Sequence, residues 1–131
     1  AQKEIILERG HKVDEINEFP IILEDKFEAM SKTKEVRTTL QSLNLTKELE
    51  RGSKKKVREG RGTTRGRKYR RKKSVLIVVG KKSGIKKAAR NIPGVDVCIA
   101  KDLNADILAP GGMPGRVTVY TESAIGEISK M

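Results

Sequence analysis

Apolar residues recur at helical spacing in the first third of the chain. In KTKEVRTTLQSLNL, residues 32–45, Val36, Leu40 and Leu43 stand at i, i+4 and i+7 with polar residues between them. This spacing predicts an amphipathic helix, because positions three or four residues apart share one helix face. TKELERG, which follows, predicts one more helical turn that Gly52 ends.

A different pattern begins at residue 74. SVLIVVG, residues 74–80, is a continuous apolar run of strand length, which is typical of a strand buried on both faces. SGIKKAARNIPG, residues 83–94, predicts a helix that Ser83 caps and that Pro93 and Gly94 end. Further strands are predicted at 21–24, 95–100 and 117–121, further helices at 2–9 and 122–131, and a short helical turn after 101. The inward faces of the two later helices are predicted to carry Ile85, Ala88, Ala89 and Ile92, and Ala124, Ile125 and Ile128.

Strands that alternate with helices favour an α/β fold with a largely parallel sheet. The 131 residues suit one domain with a modest core, and residues 1–131 are predicted to form one partial α/β domain. The chain lacks a starting Met and opens on helical sequence, so we expect an N-terminal part to precede it. No apolar run approaches the roughly 20 residues of a membrane-spanning helix.

Charge is concentrated in one internal stretch, KKKVREGRGTTRGRKYRRKK, which we call the basic segment (residues 54–73). Twelve basic residues and one acid give it +11 of the formal net charge of +12. Arg can bind phosphate oxygens with two parallel hydrogen bonds, and Lys contributes a point charge. The basic segment is therefore the candidate RNA-binding site, with these residues: Lys54, Lys55, Lys56, Arg58, Arg61, Arg65, Arg67, Lys68, Arg70, Arg71, Lys72 and Lys73.

The internal position of the basic segment favours a binding role over a solvated tail or an import signal. Self-repulsion predicts that the segment is disordered until phosphates neutralise it. Gly60, Gly62 and Gly66 are predicted to let the backbone approach RNA closely and to take positive φ. Tyr69 is predicted either to stack on an unpaired base or to anchor the segment against strand 75–79. RNA is favoured over DNA because no helix-turn-helix, zinc-finger or basic-zipper pattern is present.

Other candidate chemistry is weak. The glycines of the basic segment precede a strand and lack the spacing of a nucleotide-binding loop. His11 is the only histidine, which argues against metal ligation and favours a simple hydrogen bond. Cys98 is predicted to be a small buried residue, and Asp96 a solvated or capping group. We therefore predict no catalytic residues, no metal, no cofactor and no small-molecule substrate.

APGGMPGR, residues 109–116, predicts a sharply shaped loop before a strand. One interpretation is a tight connection at the sheet edge. The other is close backbone contact with RNA at Gly111 and Gly112, with Arg116 as a further RNA ligand at the strand entrance.

Several segments, in order, resemble one family. They are RGHKV, EFPIILEDKFE, KTKEV, the run GRGTTRGRKYRR, AARNIPG, LAPGG, PGR and TESA. Together they resemble the "L four" family of large-subunit ribosomal proteins, of the archaeal and eukaryotic type. The resemblance covers essentially the whole chain and points to the C-terminal part of such a protein.

The resemblance implies a three-layer α/β/α domain around a parallel sheet, incomplete here because the N-terminal half is absent. It implies a cytoplasmic structural component of the ribosome, with large-subunit rRNA and neighbouring ribosomal proteins as partners. An RNA-binding regulator acting outside the ribosome is the first alternative. A nucleotide-dependent α/β enzyme would need a phosphate loop after a strand, and a binder of acidic membranes would need an apolar face within 54–73. Neither feature is present in the sequence.

Overall fold

The computed structural model describes residues 2–16, 18–81 and 83–131. The helices are α1 (Lys3–Glu8), α2 (Thr33–Ser42), α3 (Thr46–Ser53), α4 (Ile85–Arg90), α5 (Ala105–Leu108) and α6 (Glu122–Ile128). The strands are β1 (Ile21–Leu23), β2 (Lys55–Val57), β3 (Tyr69–Arg71), β4 (Leu76–Val79), β5 (Asp96–Ile99) and β6 (Thr118–Thr121). Short 3-10 turns cover Asp25–Ala29, Gly60–Gly62 and Ala100–Asp102.

Four strands form a parallel sheet in the order β1-β6-β4-β5. The central strand β4 pairs with β6 on one side and with β5 on the other, with Ile77 opposite Val119 and Val97. Every residue of β4 is buried, as the continuous apolar run requires. This sheet confirms the predicted α/β fold.

Helices cover both faces of the sheet. Ile77 and Val79 belong to a core cluster that includes residues of α1, α2, α3 and α4, whereas Leu76 and Val78 pack with Ala124 of α6. Successive side chains of a strand point to opposite faces, so one apolar strand supplies both clusters. The arrangement is three-layered, with the larger cluster on the side of α2 and α4.

The expectation that Gly52 ends a helix is wrong. Helix α3 continues to Ser53, and Gly52 is buried within it. A Cβ atom at this position would lie 2.9 Å from the carbonyl oxygen of Pro93 and 3.0 Å from the Cβ of Ser74. The residue is glycine because α3 passes this close to the loop before β5 and to the start of β4.

Two helix starts also differ from prediction. The residue before α4 is Gly84, which provides no side-chain cap, so Ser83 is not the N-cap. Helix α6 is capped by Thr121, whose side chain accepts a hydrogen bond from the backbone N–H of Ala124 at 3.3 Å. Ile125 is 37% exposed and not inward, because this seven-residue helix turns only the face of Ala124 and Ile128 to the sheet.

The close contact at Gly52 leads to a stability prediction. Gly52→Ala should destabilise the fold by about 1–3 kcal/mol, because the neighbouring atoms are backbone and a short side chain that cannot move aside freely. The matched control is Gly126→Ala in α6, where a Cβ meets no atom within 4 Å. The control should be neutral or stabilising by up to about 1 kcal/mol. Thermal melts of both variants would check this, and equal melting temperatures would contradict it.

Candidate nucleic-acid interface

The basic segment is an ordered hairpin, and the prediction of disorder is wrong. Strands β2 and β3 pair antiparallel, with Lys55 opposite Arg71, Lys56 opposite Arg70 and Val57 opposite Tyr69. Residues 54–73 are called the basic hairpin from here on. Its order arises from backbone and hydroxyl hydrogen bonds, which do not depend on the sign of the side-chain charges.

The tip of the basic hairpin is closed by main-chain contacts. The N–H of Arg58 donates to the carbonyl of Lys68 at 2.8 Å, and the N–H of Arg67 donates to the carbonyl of Gly62 at 2.9 Å. Gly60 and Gly66 have φ of 78° and 75°, as expected, whereas Gly62 lies outside the positive-φ region. Gly62 instead packs under the side chain of Arg58. Glycine turns and local carbonyl acceptors therefore replace the apolar contacts that the tip lacks.

The cations of the basic hairpin remain open to solvent. Every Lys and Arg of the segment is exposed. Within the residues that the structure describes, Lys56 pairs with Glu59 at 3.0 Å and Lys73 pairs with Asp96 at 2.8 Å, and the other hairpin cations have no acidic partner. The hairpin therefore presents positive charge that the protein itself does not neutralise.

The two faces of the hairpin differ. Side chains alternate along paired strands, which places Lys55, Val57, Tyr69 and Arg71 on one face and leaves the other face to Lys56 and neighbouring cations. Val57 and Tyr69 are 53% and 51% exposed. The Nζ atoms of Lys55 and Lys68 lie 5.4 and 5.7 Å from the centre of the Tyr69 ring. Tyr69 belongs to neither core cluster, so it does not anchor the segment against β4.

The base of the basic hairpin is tied to the folded body. Arg51 at the end of α3 donates from Nη2 to the carbonyl of Lys73 at 2.8 Å. The next residue, Ser74, donates its backbone N–H to the carbonyl of Gly94 at 2.8 Å. Because Lys54 directly follows α3, both hairpin strands leave the body at one place.

Arg51 belongs to a buried ionic cluster centred on Glu48, which is fully buried. One carboxylate oxygen of Glu48 lies 2.8 Å from Nδ1 of His11 and 2.7 Å from Nη2 of Arg51. The other accepts from the backbone N–H of Lys12 at 3.0 Å and from Nε of Arg51 at 2.8 Å. Burial alone would raise the pKa of Glu48, but the hydrogen bonds from His11, Arg51 and Lys12 outweigh it and lower the pKa to about 2.

Glu48 was not among the residues predicted from the sequence, although a signal was present. Leu45, Glu48, Leu49 and Gly52 stand at i, i+3, i+4 and i+7, which marks one inward helix face. A carboxylate on such a face needs buried partners. His11, which was expected only to hydrogen-bond, is one of them.

Arg116 is not available to RNA, so its assignment as an RNA ligand is wrong. Its side chain is 2% exposed and its guanidinium lies 2.5 Å from Asp96. Its other donors reach the carbonyls of Ser74 at 3.1 Å and Ile107 at 2.9 Å. Asp96 is a partly buried, ion-paired group: burial raises its pKa, and the contacts with Lys73 and Arg116 lower it below its usual value. The contacts of Arg116 with Asp96 and Ser74 therefore tie the entrance of β6 to the starts of β5 and β4.

The Gly/Pro loop before β6 packs on α1. The guanidinium of Arg9 donates to the carbonyls of Pro110 at 2.8 Å and Pro114 at 3.2 Å. A Cβ at Gly115 would overlap the carbonyl oxygen of Ile5. Gly111 and Gly112 have φ of 80° and 77°, and a Cβ on either would meet no atom within 4 Å. The interpretation as a tight connection therefore accounts for Gly115, and Gly111 and Gly112 stay predicted RNA-approach positions.

A carboxylate occupies the place where nucleotides bind in many α/β sheets. The chain passes from β4 outward to β5 and then returns to β6 on the other side of β4, so the strand order reverses beside β4. At the carboxyl ends of these strands, Glu28 accepts from the N–H of Gly80 at 2.8 Å and from the hydroxyls of Thr121 at 2.6 Å and Ser123 at 2.8 Å. Burial raises the pKa of Glu28, but these hydrogen bonds lower it below its usual value. The arrangement disfavours a bound phosphate here, which argues against a nucleotide-dependent enzyme.

Other groups show no arrangement typical of catalysis. Cys98 is buried, as predicted, and burial raises the pKa of its thiol. Among residues 2–16, 18–81 and 83–131, no group of three His, Cys, Asp or Glu side chains is placed to hold a metal ion. The described helices are all too short or too polar to cross a membrane.

Comparison with known proteins places these features in context. The model of the ribosomal protein L4/L1 family matches residues 8–131. The chain is 44% identical over 131 residues to the large ribosomal subunit protein uL4 of Halobacterium salinarum, covering 99% of this chain and 52% of that protein. It is 46% identical to the protein of the same name from Methanocaldococcus jannaschii, over 99% of this chain and 52% of the relative. The chain thus spans about half the length of the curated relatives it matches.

The buried carboxylate leads to a prediction about acid stability. A carboxyl whose pKa is lowered on folding adds stability above its ordinary pKa of 4.5, and this stability is lost as the pH falls toward about 2. At pH 7, Glu48→Gln should lower the free energy of unfolding by on the order of 3 kcal/mol, because it leaves Arg51 and His11 without their anion. Denaturant titrations between pH 7 and pH 2.5 should show the difference from the unmodified chain shrinking below about pH 4.

The matched control is Glu59→Gln, which removes a solvent-exposed carboxylate that pairs with Lys56. This control should change stability by less than about 1 kcal/mol at every pH. An effect of Glu48→Gln that stays constant from pH 7 to pH 2.5 would contradict the ionic role of Glu48.

Proposed function

Because the chain belongs to the ribosomal protein L4/L1 family, we propose that it is a structural, non-catalytic part of the large ribosomal subunit whose basic hairpin binds large-subunit rRNA. Residues 54–73 are the RNA-binding unit, and the α/β body holds them in position and offers surfaces to neighbouring ribosomal proteins. The observation that carries the proposal is an ordered hairpin on which the exposed cations have almost no acidic partners.

The hairpin's charge suits phosphate binding in particular. Each cation that neutralises a phosphate releases a condensed counterion, so affinity depends steeply on salt concentration. Arg61, Arg65, Arg67, Arg70 and Arg71 supply guanidinium groups that can bind two phosphate oxygens at once. Gly60 and Gly66 have open space where a side chain would stand, which leaves the backbone of the tip accessible to RNA.

The face that carries Tyr69 suits an unpaired base. Tyr69 and Val57 form a half-exposed apolar pair with Lys55 and Arg71 beside it on the same face. An aromatic ring flanked by cations can stack on a base while the cations hold the adjoining phosphates. Folded RNA offers unpaired bases in loops and bulges, whereas a regular duplex does not.

The phosphate role is tested by replacing four arginines of the basic hairpin: Arg65, Arg67, Arg70 and Arg71, all to Ala. None of these side chains makes a hydrogen bond or ion pair within the described residues, so the fold should remain intact by circular dichroism. Affinity for large-subunit rRNA at about 0.15 M salt should fall at least tenfold. The slope of log K against log salt should decrease in magnitude by about 3, one contact per arginine.

A second set of four substitutions removes the same charge elsewhere. Lys26, Lys32, Lys101 and Lys130 have side chains that are 89%, 76%, 72% and 75% exposed. Replacing these four by Ala should change the salt slope by less than about 1. Equal losses in the two variants would show that binding follows total charge, and would overturn the assignment to the hairpin.

The stacking role of Tyr69 is tested with a pair of variants. Tyr69→Ala should weaken binding to an rRNA fragment with an unpaired loop by about five- to a hundredfold, because one base–aromatic stack is lost. Tyr69→Phe should bind almost normally, since the ring and not the hydroxyl carries the stack. A fully paired RNA duplex is the control, and filter binding would measure all combinations. The same loss on duplex and loop would indicate that Tyr69 acts through the shape of the hairpin.

A further inference from the structure

A second basic surface, formed by residues outside the hairpin, lies beside strand β5. A groove runs between α4 and the outer side of β5, with a floor of Val79, Val97, Cys98 and Ile99. Its rim consists of the cations Lys81, Lys86, Lys87 and Arg90, together with Ser83. Ser83, Lys86, Lys87 and Arg90 stand at i, i+3, i+4 and i+7, so α4 presents one basic side to the groove.

Strand β5 is the last strand of the described sheet on this side and pairs only with β4. The N–H of Asp96 donates to the carbonyl of Val75, which directs the backbone groups of Asp96 toward β4. Backbone groups of successive strand residues point to opposite sides. Val97 and Ile99 therefore direct their N–H and C=O groups toward the groove.

The rim cations are not neutralised by the body of the protein. Lys81, Lys86, Lys87 and Arg90 are exposed, and in the part of the chain that the structure describes none of them forms an ion pair. Charged side chains on an edge strand often protect it against aggregation. Here the cations stand on α4 and the preceding loop and not on β5, so they flank the open edge without covering it.

We propose that this groove binds an extended acidic peptide, which adds a strand to the open edge of β5. The free backbone groups of Val97 and Ile99 hydrogen-bond to the peptide main chain. Alternate apolar side chains of the peptide lie on the floor, and its acidic side chains pair with the cations of α4. The peptide belongs to a partner protein, and the site is separate from the basic hairpin.

The combination of features favours a peptide over RNA. The floor is apolar, and the open edge offers backbone donors and acceptors at the spacing of a strand. A peptide main chain offers alternating donors and acceptors at this spacing, whereas the 2′-hydroxyl donors and phosphate acceptors of RNA do not repeat at the spacing of a strand. The cations alone would suit either a peptide or RNA, so the test measures the contribution of the strand edge separately from the contribution of the cations.

The test uses the chain with Arg65, Arg67, Arg70 and Arg71 replaced by Ala, which removes four of the hairpin's twelve cations and reduces its capture of acidic probes. The probe is a fluorescein-labelled peptide in which glutamate alternates with valine. The control peptide has the same composition with glutamates and valines in separate blocks. Fluorescence anisotropy measures affinity, and amide hydrogen exchange measures protection at Val97 and Ile99. The alternating peptide should bind at least about tenfold more tightly than the block peptide and should protect both amides.

Two further variants separate edge pairing from charge. Val97→Pro removes an N–H that faces the groove and leaves the pairing with β4 in place, so it should weaken peptide binding about five- to tenfold. A triple variant should weaken peptide binding about tenfold or more, with Lys86, Lys87 and Arg90 each replaced by Gln. A thermal melt accompanies each variant, and the exchange experiment on the unsubstituted edge gives the answer if Val97→Pro fails to fold.

Equal binding of the two peptides, or no protection of Val97 and Ile99, would overturn the proposal. A short single-stranded RNA is run in parallel. The groove is a phosphate-binding patch and not a peptide site if three results coincide. The RNA displaces the peptide, the affinity for RNA depends on the α4 cations, and Val97→Pro changes neither the affinity for RNA nor the affinity for the peptide. None of these outcomes depends on whether the basic hairpin binds rRNA.

Discussion

Three separate parts of the chain, which are the loop after α1, helix α3 and the start of β4, meet at Glu48 through its carboxylate and its backbone carbonyl. The carboxylate accepts hydrogen bonds from His11 and Lys12 in the loop after α1 and from Arg51 one turn further along α3. The backbone carbonyl of the same residue accepts from the hydroxyl of Ser74, at the start of the central strand. A buried anion without these donors would cost several kcal/mol, so the three parts are held in a single arrangement. The direction in which the basic hairpin leaves the body depends on this arrangement, because Arg51 also holds the carbonyl of Lys73.

Charge repulsion within the hairpin opposes the pairing of its two strands. Lys55 faces Arg71 and Lys56 faces Arg70, and like charges directly across a pair of strands are destabilising. The backbone ladder, the glycine turns and the Val57–Tyr69 pair offset this repulsion. An anion placed between the paired cations removes it, so the free energy of anion binding includes the relief of strain already present in the free protein. In the proposed RNA binding, the hairpin is thus already ordered before the anion arrives, and no transition from a disordered segment is needed.

The sequence predicts what depends on local pattern and misses what depends on contacts between distant residues. The apolar run of β4 predicts a strand covered on both faces. The spacing of Val36, Leu40 and Leu43 predicts the inner face of α2. Charge counting located the basic segment but gave no sign of the hairpin, since its order rests on carbonyl and hydroxyl partners. Arg116 resembled the other cations by composition, yet Asp96 and two carbonyls bury it. Only the positions of distant neighbours distinguish such an arginine from an exposed one.

The order in which the chain is synthesised affects when the hairpin becomes attached to the body. Residues 54–73 are made before β4, β5 and β6, yet Lys73 and Ser74 are held by Asp96 and Gly94, which the ribosome adds later. A nascent chain that has just completed the hairpin therefore carries a polycation whose base still lacks its contacts with Gly94 and Asp96. During that interval any nearby nucleic acid competes for it on charge alone. The full set of contacts at the hairpin base, on which the proposed RNA recognition would depend, forms only after translation has supplied β5 and the loop before it.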